Sequence, residues 1–250
     1  MIVRAIKTAK ITAGEMTVVE FLDNFLPQIK EASVLAISSK VVALCENNVV
    51  AVGSIDKEEL IRQEADFYMQ DKVGKYGYHF TIKNNTLISM SGIDESNANG
   101  NYVMWPKQPQ ASANAIREYL VERFKLKKVG VVIIDSVSMP MRLGTTGTTI
   151  GYSGFEPLDD YIGTPDLFGR PFTMSRASIA SGLAATANMV MGEGHTPTPI
   201  VVIEDLPFVK FQDRNPTPQE LESIGVPLAD DIYEPLISSV RWLKGGSGKK

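Results

Sequence analysis

The sequence predicts an α+β protein, with mixed sheets and helices in two interleaved lobes, and neither a P-loop nor a Rossmann fold. Strand-like and helix-like runs alternate without a strict strand–helix–strand rhythm. The chain has no glycine–lysine phosphate loop, no Gly-x-Gly-x-x-Gly in a strand-to-helix context and no kinase signature. Its 250 residues suffice for one large domain or two small ones around an ample core.

Thr17 and Glu20 make a capping box ahead of Val18, Val19, Phe21, Leu22, Phe25, Leu26 and Ile29, which predicts the first helix. The β-branched run from Val34 to Val42 reads as a buried strand. Asp56 and Glu59 cap a second helix, expected to continue toward Met69. Tyr78 to Met90 alternates and reads as one or two strands. Pro109 opens a helix that aligns Ala113, Ile116, Leu120, Val121 and Phe124. Val129 to Ile134 is a short apolar strand ending at Asp135. Gly144 to Gly154, dense in Gly, Thr and Ser, reads as strand, turn or both. Ser175 to Met191 predicts a helix of small residues that lets another backbone come close. A strand, Ile200 to Ile203, follows Pro199. Thr217-Pro218-Gln219-Glu220 caps a further helix, and Asp231 to Leu243 reads as the last one. Residues 1–244 are taken as one domain of two lobes, and 245–250 as a flexible tail.

Composition narrows the function. A net charge of -4 gives no general attraction to nucleic acid or anionic membrane. Cys45 is the only cysteine, which excludes an internal disulfide and reads as a buried, inert thiol. With only His79 and His195 available, a zinc site of several Cys or His ligands is excluded. No apolar run reaches the roughly 20 residues of a membrane span, and the first residues carry Arg4, Lys7 and Lys10. A cytoplasmic protein is expected.

Three acids stand at the edges of predicted elements, flanked by glycine, serine or asparagine: Asp94, Asp135 and Glu193. Hard oxygen ligands in such loops suit Mg²⁺ or Mn²⁺ bridging phosphates. Each has a plainer reading. Asp94 with Asn97 makes an Asx turn equally well. Asp135, at the end of an apolar strand, needs water, a cation or a metal. Glu193 is either an exposed loop acid or part of a site that the other two complete. Lys10 and Lys40, taken singly, read as surface charges, and His195 as a loop histidine. Arg142 and Arg170 either clamp phosphate or pair with Asp159, Asp160 or Asp166. Gly144, Gly147, Gly151 and Gly154 read either as turns and close packing or as a phosphate-facing loop.

In combination these segments resemble a known family. Ser39-Lys40-Val41-Val42 with Glu46, Gly92-Ile93-Asp94-Glu95-Ser96-Asn97, and Trp105-Pro106 with Pro109, Ser112 and Ala113 resemble the coenzyme F-420:γ-glutamyl ligases. Val129-Gly130-Val131 through Asp135-Ser136, Pro140, Arg142 and Gly144 continues the likeness. So do Ile150-Gly151, Gly154, Asp160-Tyr161, Gly163, Gly169-Arg170 and the Ala-rich helix into Met191-Gly192-Glu193. The resemblance covers roughly residues 1 to 203.

It implies a γ-glutamyl ligase domain that forms a homodimer. GTP would be the co-substrate, with two divalent ions, Mg²⁺ or Mn²⁺, and K⁺ as a further cation. The nucleotide would phosphorylate a carboxylate on a pterin or deazaflavin coenzyme, and L-glutamate would attack the acyl phosphate. Asp94, Asp135, Ser136 and Glu193 would hold metal, and Asp94, Asp135 and Arg142 would be catalytic. Lys10, Ile11, Ser39, Lys40, Asn97, Met191, Gly192, Gly194 and His195 would contact nucleotide.

Leu44, Met139 and Ile162 stand where the family carries a lysine and two arginines, and Ser181-Gly182 replaces an acidic pair. Such losses change which anions a cleft accepts. The segment from Glu204 to Pro216 resembles a bacterial branch labelled a folate-metabolism γ-glutamate ligase, so a folate-type acceptor competes with an F-420-type one. The rival readings are a non-catalytic binding protein and a phosphotransferase acting on another carboxylate.

Overall fold

The computed structural model describes residues 1–246; residues 247–250 of the expected tail lie outside the described residues. Gly245 and Gly246 donate their amides to the carbonyls of Asp66 and Arg62, at 2.9 and 3.0 Å.

The larger sheet has five strands, in the order Ile2–Ile6, Ile200–Glu204, Ser33–Ser38, Val129–Ser138 and Thr145–Ser153. Only the Ser33–Ser38 and Val129–Ser138 pair is parallel. Both faces of this sheet are buried, which is why its central strands read as continuous apolar runs. Leu35, Ile37, Val131, Ile133, Ile200 and Val202 pack with Phe21, Leu22, Leu26, Ile116 and Leu120 from the helices Val18–Phe25 and Pro109–Phe124. The alternate residues Val34, Ala36, Val132, Ile134, Val201 and Ile203 pack with Ala180, Leu183, Ala184 and Ala187 of the helix Ile179–Met191. At about 1.5–3 kcal/mol for each fully buried large aliphatic side chain, these two layers dominate the stability of the fold.

The second lobe is inserted between the two parallel strands of the first. Its antiparallel sheet runs Trp242–Lys244, Phe67–Met69, Phe80–Lys83 and Thr86–Ser89. The chain therefore leaves the first lobe after residue 45, returns before residue 109, and comes back to the second lobe at its C-terminal end. That is the interleaving the mixed element order predicts.

Five element expectations change. The strand expected to end at Asp135 runs on to Ser138, because these residues pair with Thr145–Thr148. The run from Val34 to Val42 is a strand only to Ser38, because the helix Ser39–Cys45 begins there and turns Val41 and Val42 into the core. The helix expected to reach Met69 stops at Glu64; Ala65 is extended, and Phe67–Met69 pairs with Trp242–Lys244 and with Thr81 and Ile82. The small-residue helix starts at Ile179, since Arg176–Ser178 pairs with Leu158–Asp160. The expected last helix survives as one turn, Glu234–Ile237, with Pro235 in its first turn; Trp242–Lys244 is claimed by the sheet. At Ser39 a helix displaces the expected strand; in the other cases cross-strand pairing overrides local propensity. Tyr78 to Met90 does form two strands, and the undecided glycine-rich stretch is the strand Thr145–Ser153.

The two glycines inside that strand, Gly147 and Gly151, are there for packing. A Cβ on Gly147 would meet the Ala184 carbonyl oxygen at 2.3 Å, and one on Gly151 the Pro109 carbonyl oxygen at 2.6 Å. The first of these is the close approach expected of the small-residue helix; the second is made by the helix Pro109–Phe124.

Cys45 is half-buried at the end of its helix. Burial, followed by the charges of Glu46, Glu15 and Glu20, pushes its thiol up to about 12. The thiolate fraction at pH 8 is then roughly 10³-fold below that of the unfolded chain. Alkylation at pH 8 is expected to be slower by about that factor in native protein than in urea, by timed mass spectrometry; equal rates would show an accessible thiol. Since folding raises this pKa, the associated stability is intact below the ordinary thiol pKa and is lost as pH climbs toward 12.

Candidate functional site

The pairing of the two parallel strands ends with Ser38 opposite Ile134. Asp135 follows on one strand, and the chain turns into the helix Ser39–Cys45 on the other. A bulge precedes Asp135: Ile133 faces Gly151 and Ile134 faces Thr149, which leaves Ile150 as the extra residue. Such a bulge re-aims the side chains beyond it.

The Asp135 side chain is half-buried, in surroundings dense enough to desolvate its carboxylate, and is doubly held. Ser39 donates its hydroxyl to Oδ1 at 3.3 Å, and Trp105 donates its indole N–H to Oδ2 at 2.5 Å. Burial raises the carboxyl above its usual range. The bonds from Trp105, the Ser136 amide and Ser39 pull the other way without overcoming it, and the nearby charge of Asp94 adds to the rise.

Asp94 comes from the second lobe. Its backbone pairs with Val103, and its side chain closes an Asx turn on the Ser96 amide at 2.7 Å. The Asx-turn reading of this aspartate is therefore met, on the Ser96 amide, and the same carboxylate lines the cavity. Lys40 Nζ lies 2.5 Å from Asp94 Oδ2 and donates to the Ser96 carbonyl at 2.9 Å. Burial would raise Asp94, but Lys40 and the Ser96 amide outweigh it and hold the carboxyl below its usual range.

The third wall is the loop after the small-residue helix. Gly192, at φ +74°, ends that helix, and the chain crosses the sheet edge before entering the strand Ile200–Glu204. The Pro197 and Pro199 carbonyls accept the Thr8 and Ser38 amides, at 2.8 and 2.9 Å. Asn97 donates to the Gly194 carbonyl at 3.3 Å and so ties this loop to the Asp94 turn. Glu193 accepts from Asn188 at 2.8 Å.

Together these walls enclose a cavity of about 490 Å³, with contributions from residues 8–12. Lys10, Ile11, Lys40, Asp94, Asn97, Asp135, Ser136, Met191, Gly192, Glu193, Gly194 and His195 all line it. Ser39 sits just behind, in contact with Asp135. Arg142 does not line it: this side chain stands on the exposed turn joining Val129–Ser138 to Thr145–Ser153. Arg170 lies in another exposed loop, where its amide bonds Asp166, while Arg176 takes Asp160 and Lys210 takes Asp159. Leu44 faces the cavity. Among the described residues, no three His, Cys, Asp or Glu side chains draw into a metal-ligating cluster. Asp94 and Asp135 interact as a pair, and Glu193 stands apart on its own loop.

Sequence reasoning missed Trp105 as a partner of Asp135. The available signal was chemical, because a buried indole N–H requires an acceptor. Ser96 and Asn188, which hold Lys40 and Glu193, gave no signal in sequence.

The cavity thus combines oxygen donors at one end with backbone, Lys10, Lys40 and His195 along its walls. A protein-family model described as F420-0:Gamma-glutamyl ligase matches residues 5–205. The coenzyme F420:L-glutamate ligase of Methanococcus maripaludis strain C6 is 33% identical over 214 residues, spanning 80% of this chain and 85% of that protein. The protein of the same name from Methanocaldococcus jannaschii is 33% identical over 209 residues, spanning 75% and 82%. The one from Methanopyrus kandleri is 30% identical over 197 residues, spanning 72% and 77%.

Proposed function

The chain belongs to the F420-0:Gamma-glutamyl ligase family, and on that footing we propose that it adds L-glutamate to a carboxylate of a deazaflavin or pterin coenzyme at the expense of GTP. The observation that carries this reading is the single cavity where Asp94, Asp135 and Ser136 meet Lys10, Lys40 and the loop 191–198.

The donor set fits a hard divalent cation such as Mg²⁺ or Mn²⁺. Asp94, Asp135 and Ser136 offer only oxygen, and a cation would relieve both the burial of Asp135 and its repulsion by Asp94. Glu193 would serve a second ion. Such ions would neutralise charge on the phosphates during transfer. The chain's own residues do the rest. Lys10, Lys40, His195 and the amides of the 191–198 loop hold the triphosphate, and Ser39 with Trp105 holds Asp135 in place. The acceptor carboxylate attacks the γ-phosphorus as the nucleoside diphosphate leaves. The glutamate amine then attacks the acyl carbon, forming the amide as phosphate departs and the amine loses a proton.

A homodimer belongs to this reading. Met141 and Leu143 on one excursion of the chain, and Leu167 and Phe168 on another, stand almost fully exposed, as large apolar side chains at an interface with a second copy would. Arg142 lies between the first two, so a second copy covering that turn would bring it into use.

Reactions with Mn²⁺ or Mg²⁺, GTP or ATP, and L-glutamate, followed by mass spectrometry, test the proposal. The unglutamylated F-420 precursor and tetrahydrofolate are offered separately, and light scattering reads the mass of the assembly. One acceptor is expected to gain a glutamate residue, and Asp94→Ala is expected to abolish the gain without unfolding the chain. Nucleotide hydrolysis that ignores glutamate would replace this reading with a phosphotransferase.

A further inference from the structure

A buried carboxylate keeps one orientation only when donors reach both of its oxygens. Of the two side chains on Asp135, the shorter bond comes from Trp105, whose single donor is fixed in a rigid plane. Trp105 is 2% exposed and does not line the cavity. Its ring is held on two sides. Lys83 Nζ, buried and 2.6 Å from Glu64, lies 5.5 Å from the ring centroid. Gly92 leaves room at the edge that bears the N–H, since a Cβ there would stand 2.2 Å from Nε1.

Gly92 also closes a run of three left-handed residues, Met90, Ser91 and Gly92, at φ 57°, 55° and 69°. Two of them are not glycine, and such strain persists only where the surroundings enforce it. Here they do: the Ser91 amide donates to Thr81 Oγ1 and its hydroxyl to the Ile61 carbonyl, both at 2.9 Å. Two residues further on, the same chain carries Asp94. The indole is therefore wedged between the turn that bears Asp94 and the strand that bears Asp135.

We infer that Trp105 is a positioning residue: its N–H fixes the rotation of the Asp135 carboxylate, and its bulk sets the spacing of Asp135 from Asp94. The two acids then present themselves together to one cation. This rests on the cation pair proposed above.

The test uses the full-length protein labelled with ¹⁵N at its two indoles, Trp105 and Trp242. The Trp105 Nε1–H signal, assigned through Trp242→Phe, is expected downfield of ordinary indoles and should move upfield in Asp135→Asn. No change would overturn the inference. Mn²⁺ binding by calorimetry is expected to weaken by roughly 10- to 100-fold in Trp105→Phe, measured well below its unfolding midpoint. Gly92→Ala keeps the indole but displaces it, and should weaken Mn²⁺ in the same direction. Wild-type affinity in both folded variants would reduce Trp105 to a core residue. If the wild-type protein itself takes up no Mn²⁺, the cation reading fails separately, and the indole signal alone decides whether Trp105 sets Asp135.

Discussion

Replacing Asp135 by asparagine is expected to cut amide formation by roughly 10²–10³-fold, the scale of losing one charge-stabilising group, while raising the thermal midpoint. Asparagine has the shape of aspartate. Its carbonyl oxygen can still accept the Trp105 N–H, and its amide can donate to the Ser39 hydroxyl. What disappears is a negative charge buried beside Asp94. Removing a buried charge while its neighbours keep their hydrogen bonds stabilises by about 1 kcal/mol, which in a chain of this size amounts to a few degrees. The opposed signs distinguish a site kept for chemistry from one kept for folding. Turnover within a few-fold of wild type in the coupled mass-spectrometric assay would remove Asp135 from the reaction. A lowered midpoint would mean that the charge is compensated in the fold already.

The second large effect concerns Gly147. Gly147→Ala is expected to destabilise the fold by about 3 kcal/mol, at the upper end of overpacking costs. The added methyl would stand 2.3 Å from the Ala184 carbonyl oxygen and 2.7 Å from Asn188 Cβ. The obstacle is helix backbone, so no rotamer change relieves it. The helix Ile179–Met191 must lift from the sheet, carrying with it Asn188, Met191 and the loop that closes the cavity. A fall in unfolding midpoint of roughly 6–12 °C follows from the size of the chain. Nucleotide affinity, read by calorimetry in the folded fraction, should fall in parallel, since Asn188 also fixes Glu193. A midpoint within a degree of wild type would show that this helix is free to adjust.

Gly147 also illustrates why part of this protein was legible in its sequence. The glycine-rich stretch admitted two meanings, and only the helix lying across it decided for packing. By contrast, the capping boxes at Thr17 and Thr217 are complete within four residues, and both are formed. The three central strands of the larger sheet were legible because both of their faces are buried, whereas the edge strands Ile2–Ile6 and Thr145–Ser153 were not. The helix expected over Asp231 to Leu243 failed because Trp242–Lys244 is needed at the edge of a sheet whose other strands lie more than 150 residues away. No local pattern carries that demand.

The candidate site divides along the same line. The three acids were marked as candidates by residue type and by their glycine and serine neighbours, whereas Lys10 and Lys40, read singly as surface charges, entered only through the resemblance. Their order along the chain carried the family resemblance, and with it the class of reaction. Only the tertiary structure gathered Lys10, Lys40, Asp94, Asp135 and Glu193 around one cavity, and only it left Arg142 on an exposed turn. It alone revealed that Lys40 sits on Asp94, and that an indole from the inserted lobe holds Asp135. The reason is physical. Caps, periodicity and turn chemistry are interactions between near neighbours, so they can be read from the chain in order. A cavity depends on which distant segments the packing of two sheets brings together, and on the space a glycine leaves when they meet.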